Sequence, residues 1–213
     1  MTNTTPPRAP AMPDWNQRFD SEDYFYGTEA NAFLRAQAGL LQAGQRVLAV
    51  ADGEGRNGVW LAEQGLQVTS VEASSNALKK ARKLATERGV APEFIEADLL
   101  SWRWPAAEFD VVAAIFIQFL AAAARERVFA AMQAALKPGG ILLLQGYTVD
   151  QLNYRTGGPA VAEQLYTPGL IRELLADMEI VHFREHVGEL KEGTGHCGQS
   201  ALLDVVARKP AQT

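Results

Sequence analysis

The stretch Val47-Leu-Ala-Val-Ala-Asp-Gly-Glu-Gly-Arg-Asn-Gly58 decides the fold of this chain. The aliphatic run Arg46–Val50 predicts a strand, and a helix is predicted over Arg56–Gln64, closed by a glycine. Three glycines of the stretch are spaced as G-x-G-x-x-G, which is typical of a nucleotide-binding loop in a βαβ unit. Glycine lets the backbone approach a ligand closely because no Cβ intervenes. The alternative is a tight turn with a purely structural role.

Strands and helices alternate after this loop. The next predicted strands are Gln67–Val71, Glu93–Ala97, Phe109–Phe116 and Ile141–Gly146. Helices are predicted over Glu29–Leu41, from a cap at Ser74 or Ser75 to Gly89, over Ala121–Leu136 and from Thr167-Pro168 onward. The segment Lys137–Gly140 predicts a tight turn into the strand at Ile141. Such alternation implies a doubly wound, mostly parallel sheet of the α/β class.

The C-terminal part breaks this alternation. Two strands, Glu179–Leu190 and Ser200–Arg208, are separated by only nine residues, which is too short for a parallel crossover. They are therefore expected to form an antiparallel pair, which completes a mostly parallel seven-stranded sheet. Residues 14–213 are expected to form a single domain. Residues 1–13, which contain four prolines, are expected to be a disordered tail.

Composition excludes several classes of protein. The chain has 213 residues, a formal net charge of −5 and a sequence pI of about 5.3, so it lacks the basic balance of a duplex nucleic-acid reader. The first dozen residues contain no apolar h-region, so a secretory signal is not expected, and the run Val111–Ala124 is too short to span a bilayer. The single cysteine, Cys197, rules out an internal disulfide and favours a cytoplasmic setting. We expect a monomer or weak homodimer that acts on a small molecule, with no nucleic-acid or membrane partner.

Acidic residues after the next two strands favour a nucleoside ligand. Glu72 ends the second strand, where a carboxylate can accept hydrogen bonds from both ribose hydroxyls of adenosine. This ribose occurs in both NAD(P) and S-adenosylmethionine. Ala51-Asp52 widens the first loop, which suits a compact amino-acid group better than a pyrophosphate. Asp98 follows the third strand, where it can accept a hydrogen bond from an adenine amino group. Together with the antiparallel C-terminal pair, these features favour S-adenosylmethionine.

Five motifs in order resemble those of the class I S-adenosylmethionine-dependent methyltransferases. They are GEGRN (Gly53–Asn57), VTSVEASSNAL (Val68–Leu78), EADL (Glu96–Leu99), FDVV (Phe109–Val112) and LKPGG (Leu136–Gly140). The segments WNQRF, YFYGTEANAFL, TGGP, LYTP and GTGHCG further resemble the tellurite-resistance-type small-molecule methyltransferases. The resemblance implies a Rossmann-like methyltransferase fold, S-adenosylmethionine as the cofactor, and a small acceptor such as a thiol or chalcogen anion.

The resemblance also implies a set of cofactor-binding residues. They are Asp52, Gly53, Gly55, Arg56, Glu72, Asp98 and Leu99, with Arg56 as the partner of the methionine carboxylate. One position departs from the family, because Ala49 stands where an acidic residue usually ends the first strand. Asp52 is expected to take over part of that role by contacting the cofactor's ammonium group. Three alternatives stay open: an NAD(P)-binding Rossmann oxidoreductase, a non-catalytic methyltransferase homologue and, least favoured, a nucleic-acid methyltransferase.

Aromatic residues near the N-terminus form a candidate cover for the cofactor. Trp15 and Tyr26, with Tyr24, are expected either to shield the sulfonium from water or to pack on the sheet edge. Tyr154 and Arg155 follow the fifth strand and are expected to contact the acceptor, although an exposed structural role is the alternative for Arg155.

Histidines raise the questions of a general base and of a metal. His196, expected in a loop over residues 191–198, is a candidate base or anchor for the acceptor, and the alternative is a loop-stabilising role. His182 and His186 lie on one predicted strand, about 13 Å apart at ~3.3 Å per residue, which is too far for one Zn²⁺. No metal site is therefore expected.

Overall fold

The computed structural model describes residues 14–211, and the predicted tail at residues 1–13 lies outside this range. Its helices are α1 Trp15–Arg18, α2 Ala32–Ala36, α3 Arg56–Glu63, α4 Ser75–Arg88, α5 Ala122–Ala135 and α6 Pro168–Leu174. Its strands are β1 Arg46–Val50, β2 Gln67–Glu72, β3 Glu93–Glu96, β4 Phe109–Ile115, β5 Leu136–Tyr147, β6 Glu179–Glu192 and β7 His196–Arg208. Short 3₁₀ helices cover Ala38–Leu40, Val149–Asn153 and Ala162–Gln164. Every helix in the described range is too short or too polar to traverse a bilayer.

The seven strands form one sheet in the order β3-β2-β1-β4-β5-β7-β6. The pairs β1–β2, β2–β3, β1–β4 and β4–β5 are parallel, whereas β7 is antiparallel to both β5 and β6. The predicted fold class is therefore confirmed. Strand order reverses between β1 and β4, which creates a crevice at their carboxyl ends where ligands bind in doubly wound folds.

Both faces of the sheet are covered. Along β1, Leu48 and Val50 belong to a core cluster beneath α5 and α6, while Val47 and Ala49 belong to a second cluster with Leu34 of α2 and with α3. A strand that is buried on both faces reads as a continuous aliphatic run, as this one does. The sheet therefore provides a rigid frame for the loops at its carboxyl edge.

Two predicted boundaries are wrong in an informative way. The helix expected over Glu29–Leu41 begins only at α2, because the Asn31 side chain caps it by accepting a hydrogen bond from Leu34 N. The segment expected as a turn before β5 instead belongs to that strand, as a bulge: Phe109 pairs with Leu136, and Val111 pairs with Ile141. The sequence pattern predicts where the chain turns, but it does not show whether the hydrogen-bond ladder between two strands continues through a bulge at that point.

The C-terminal hairpin is tighter than predicted. Residues 193–195 form its whole connection, and Glu192 pairs with His196 across it. His196 is thus the first residue of β7 and does not lie in a loop, which corrects the expectation from the sequence. The sequence predicted a nine-residue connection, but both strands extend further and Gly193 (φ 64°) serves a tight hairpin connection.

Candidate cofactor and acceptor site

A cavity opens at the switch point between β1 and β4. It holds about 870 Å³ of atom-free space, part of it open to solvent. Its polar or charged lining residues are Asp52, Arg56, Asn57, Glu72, Asp98 and His196, and its aromatic lining residues are Trp15, Phe19, Tyr26, Phe116 and Phe119. The rest of the lining is Ala51, Gly53, Ala73, Ala97, Leu99, Ile115 and Leu120. Most residues proposed from the sequence to contact the cofactor therefore share one cavity.

Glu72 ends β2 with its carboxylate fixed by the backbone. Gly53 N donates to one oxygen at 2.9 Å and Ser74 N donates to the other at 2.8 Å. Burial raises the pKa of Glu72, and these hydrogen bonds oppose that rise. A carboxylate offers about four acceptor sites, so each oxygen keeps one for a further donor. Two donors spaced like vicinal hydroxyls fit this arrangement.

The glycines of the first loop have different roles. Gly53 lines the cavity at φ +60°, and a Cβ there would lie 3.7 Å from the Phe19 ring. Gly55, at φ +85°, does not line the cavity, and a Cβ would lie 2.6 Å from Ala81 Cβ of α4. Gly55 therefore permits packing of α4 against the loop, so the structure does not support the cofactor contact proposed for it.

Asp52 is held by the third glycine of the loop. Its carboxylate accepts hydrogen bonds from Gly58 N at 3.1 and 3.2 Å and from Ser70 Oγ at 3.1 Å. A Cβ on Gly58 would lie 2.4 Å from Asp52 Oδ2, so only glycine leaves room for this carboxylate. Burial raises the pKa of Asp52 to about 7. Ser70 pairs with Ala49 in the β1–β2 ladder, so the carboxylate lies close to the position where the family usually has its acidic residue.

Asp98 and Leu99 lie in the turn after β3. Asp98 Oδ1 accepts from Leu100 N at 2.8 Å, which fixes an exposed carboxylate at the cavity edge. Leu99 is buried and lines the cavity, and its carbonyl accepts from Trp104 Nε1 at 2.9 Å. The turn thus offers a hydrogen-bond acceptor, the Asp98 carboxylate, beside the apolar side chain of Leu99, which suits an adenine ring with its amino group.

The N-terminal aromatic residues cover the cavity. The Trp15 ring stacks on Phe19 at 5.9 Å and meets Phe119 edge-on at 5.7 Å, and all three rings line the cavity. Tyr26 also lines it. Tyr24 does not, because its hydroxyl donates to Lys80 O at 3.0 Å outside the cavity.

Arg56 is held by a residue that sequence reasoning missed. Its guanidinium donates to Glu192 Oε2 at 2.6 Å, and Asn31 Nδ2 donates to Glu192 Oε1 at 2.9 Å. Burial alone would raise the pKa of Glu192, but His196 and Arg56 lower it to about 2. The available signal was the alternation along β6, because Glu192 continues the buried face of Leu190. Arg56 faces the cavity with part of its hydrogen-bonding capacity already used.

His196 lies in a cage of aromatic rings. Its centroid is 4.3 Å from Tyr26, 4.3 Å from Phe116 and 5.6 Å from Tyr147. Nδ1 is buried without a hydrogen-bond partner in residues 14–211, and Glu192 Oε2 lies 3.7 Å away, beyond hydrogen-bond range. Burial lowers the pKa of His196 and the Arg56 charge lowers it further, against the effect of Glu192. The ring is neutral at pH 7 and can accept a proton.

Tyr154 and Arg155 do not line the cavity, contrary to expectation. Tyr154 caps a 3₁₀ helix, and Arg155 is exposed. The following residue, Thr156, donates from Oγ1 to Gln199 O at 2.6 Å, so this segment packs along β7. Sequence order placed these residues after β5, but only tertiary contacts determine the direction in which the segment then runs.

Metal-ligating side chains do not converge in the described part of the chain. Among residues 14–211, no group of three or more His, Cys, Asp or Glu is arranged to hold a metal. His186 contacts Asp204 at 2.8 Å, His182 is exposed and Cys197 is exposed.

Comparison with known proteins supports the same interpretation of the fold. A family model described as a methyltransferase domain matches residues 47–140. The glycine/sarcosine N-methyltransferase of Parasynechococcus marenigrum is 33% identical over 158 residues, covering 70% of this chain and 51% of that protein. The chain thus spans about half the length of these curated relatives, which include a second glycine/sarcosine N-methyltransferase from Halorhodospira halochloris.

Solved structures share the architecture at low identity. A structure from work on the conversion of a disulfide bond into a thioacetal group during echinomycin biosynthesis has a TM-score of 0.76 at 18% identity, covering 93% of this chain and 89% of that one. TehB from Haemophilus influenzae has a TM-score of 0.68 at 16% identity, covering 92% of this chain and 65% of that one. The match to the methyltransferase domain, the curated relative and the shared fold agree with the motifs: the chain belongs to the class I methyltransferases, whose cofactor is S-adenosylmethionine.

Proposed function

We propose that this protein transfers a methyl group from S-adenosylmethionine to a small thiol or its heavier chalcogen counterpart. The observation that carries the proposal is the composition of the cavity between β1 and β4. Backbone-anchored carboxylates suited to a nucleoside and an ammonium group share it with a neutral histidine surrounded by aromatic rings.

The residues of the cavity fit the cofactor. Glu72 has one acceptor site left on each oxygen for the ribose hydroxyls, and Asp98 offers an acceptor for the adenine amino group. Asp52 can pair with the ammonium group, and Arg56 can pair with the methionine carboxylate. When bound, S-adenosylmethionine supplies a methyl group that is already activated by its sulfonium charge. The protein's main contribution is therefore alignment of the acceptor and exclusion of water.

His196 supplies the proton chemistry in this proposal. A thiol has a pKa near 8.5, so at pH 7 most of it is protonated and a poor nucleophile. The neutral imidazole would take the thiol proton at Nε2. The acceptor sulfur would form its bond to the methyl carbon as the bond from that carbon to the sulfonium sulfur breaks, with S-adenosylhomocysteine as the leaving group, and the proton would then pass to solvent. Tyr26 and Phe116 hold the ring in place and keep water away from it.

The charges of the cavity favour a thiol over an amino acid as the acceptor. Arg56 is the one basic residue among the described lining residues, apart from neutral His196, and it already pairs with Glu192. An amino-acid substrate such as glycine would bring a second carboxylate into the cavity without a cation to pair with it. Burying an unpaired carboxylate is costly, whereas a small thiol enters without charge.

The test is an acceptor panel with the purified full chain. S-adenosylhomocysteine formation is measured with hydrogen sulfide, hydrogen selenide and small alkyl thiols, and with glycine and sarcosine for comparison. The proposal predicts turnover with the sulfur and selenium acceptors and none with the amino acids. Turnover with glycine alone would overturn the acceptor assignment, and absence of turnover with every acceptor would contradict the proposed activity.

A matched pair of histidine variants tests the proposed base. His196→Gln should lower kcat with an alkyl thiol by about 100-fold or more, in the range for loss of a general base. His182→Gln, an exposed histidine on β6, should leave kcat unchanged. Equal rates in the two variants would remove His196 from the proposal.

A further inference from the structure

Glu54, between the first two glycines of the cofactor loop, has a role that its sequence position does not reveal. It is buried and does not line the cavity. Its Oε1 accepts a hydrogen bond from Phe25 N at 3.1 Å, and its Oε2 accepts one from Tyr26 N at 3.1 Å. A single carboxylate in the loop thus holds the backbone of the aromatic segment that covers the cavity.

A buried lysine completes this attachment. Lys80 Nζ of α4 donates to Glu54 Oε1 at 2.8 Å and to Asp23 O at 2.7 Å. Tyr24 in turn donates from its hydroxyl to the Lys80 carbonyl at 3.0 Å. Removing one partner of a buried ion pair leaves the other charge uncompensated, so the arrangement is strongly specified.

The opposite side of the same segment is attached to the hairpin that carries His196. The Phe25 carbonyl accepts from Thr194 N at 2.9 Å and from Gly195 N at 3.0 Å. A Cβ on Gly193 would lie 2.3 Å from Phe25 O, so the two backbones approach as closely as glycine allows. His196 directly follows Gly195, and its ring centroid lies 4.3 Å from that of Tyr26.

We propose that Glu54 is a positioning residue that couples the cofactor loop to the acceptor side of the cavity through residues 23–27. Ordering of the loop by bound cofactor is transmitted through the Phe25 and Tyr26 amides to the hairpin connection at residues 193–195, and from there to His196. The acceptor assignment of His196 rests on the proposed function, whereas the mechanical coupling does not. A purely stabilising role for Glu54 would predict no effect at the hairpin beyond that of global destabilisation.

Amide hydrogen exchange on the full chain tests the coupling without any acceptor. Glu54→Gln replaces one acceptor oxygen by a donor, so at least one of the Phe25 and Tyr26 amides loses its partner. We expect exchange to accelerate about tenfold at Phe25 and Tyr26, and also at Thr194 and Gly195, which do not contact residue 54. In the unsubstituted protein, S-adenosylhomocysteine should slow exchange at both places. In the variant it should slow only the cofactor loop.

Two further variants keep the test decisive. Glu87→Gln, an exposed carboxylate on α4, should leave exchange at both places unchanged. If Glu54→Gln does not fold, Lys80→Gln replaces it, because this change keeps the carboxylate but removes its ion-pair partner. Accelerated exchange at Phe25 and Tyr26 without any change at Thr194 and Gly195 would overturn the coupling.

Kinetics then separate positioning from cofactor binding. In Glu54→Gln, the acceptor KM should rise and kcat should fall, each by about tenfold, while the dissociation constant of S-adenosylhomocysteine changes by less than about threefold. An equal loss of cofactor affinity and kcat would assign Glu54 to cofactor binding instead. If no acceptor is turned over by any form of the protein, the proposed function fails and the exchange experiment still decides the coupling.

Discussion

Asp52 makes cofactor binding depend on pH in a way that can be calculated. Its pKa is raised to about 7 by burial, so the carboxylate is about nine-tenths ionised at pH 8 and about one-tenth ionised at pH 6. If the cofactor's ammonium group binds only the ionised form, the association constant falls about tenfold between these pH values. Protons released on binding should be detectable in this range. The protonation state of Asp52 thus sets the affinity near neutral pH.

The raised pKa of Asp52 also means that its ionised form, which favours cofactor binding, destabilises the ligand-free protein. Because the folded state favours neutral Asp52, ionisation above its usual pKa of 3.8 costs folding stability, about 4 kcal/mol in total once the pH passes 7. Asp52→Asn cannot ionise, and its amide oxygen can still accept from Gly58 N. We therefore expect the variant to have a higher Tm than the unsubstituted protein at pH 8, with the difference shrinking toward pH 4.

Calorimetric titration with S-adenosylmethionine from pH 5.5 to 8.5 is the assay, paired with thermal unfolding of the free proteins. The unsubstituted protein should lose affinity as the pH falls through 7, whereas Asp52→Asn should bind weakly at every pH. A variant that binds weakly but unfolds at higher temperature marks a residue retained for ligand binding at the expense of stability. If Asp52→Asn keeps the pH-dependent affinity, another group titrates and this reasoning is refuted.

Four other substitutions test separate parts of the site. Gly55→Ala should destabilise the fold by about 2–4 kcal/mol, because a Cβ would overlap α4 and because the positive φ of Gly55 is strained for alanine. Urea unfolding measures this loss of stability. Cofactor affinity should persist at low temperature. Glu192→Gln leaves the Arg56 charge without its buried partner and should lower the free energy of unfolding by about 3–5 kcal/mol at pH 7. Because the pKa of Glu192 is about 2 in the folded protein, the stability difference between variant and unsubstituted protein should vanish as the pH falls from 4.5 toward 2. Unfolding scans over this pH range measure the difference. Tyr154→Phe and Arg155→Ala should change kcat/KM by no more than about two- to threefold, since neither residue lines the cavity.

Features set by local sequence could be predicted. Strands β1, β2 and β4 are short and mostly buried. Glu72 ends β2 and Asp98 lies two residues after β3, so strand order alone brings both side chains to one edge of the sheet. The cap at Ser74 and the helix start at Thr167-Pro168 are likewise local, and both are confirmed. The core of the cofactor site follows from these elements.

Features set by long-range contacts could not be predicted. Glu192 reaches Arg56 across 136 positions of the chain, and no spacing rule connects them. The segment carrying Tyr154 and Arg155 starts at the correct edge of the sheet but turns along β7 because of contacts made by Thr156. Gly58 is the last glycine of the G-x-G-x-x-G pattern that is typical of nucleotide-binding loops, yet in this structure its missing side chain makes room for the Asp52 carboxylate.

The most direct test of the account is calorimetric binding of four ligands to one preparation. S-adenosylmethionine, S-adenosylhomocysteine, NAD⁺ and NADPH are titrated into the full chain, with Glu72→Ala as the site variant and Glu87→Gln as its exposed control. The account predicts micromolar binding of the two sulfur compounds alone, preserved in Glu87→Gln. In Glu72→Ala it predicts a loss of about 100-fold, as expected for two charge-assisted hydrogen bonds. Binding of a nicotinamide cofactor, or sulfur-cofactor binding that is indifferent to Glu72, would contradict the assignment of this cavity.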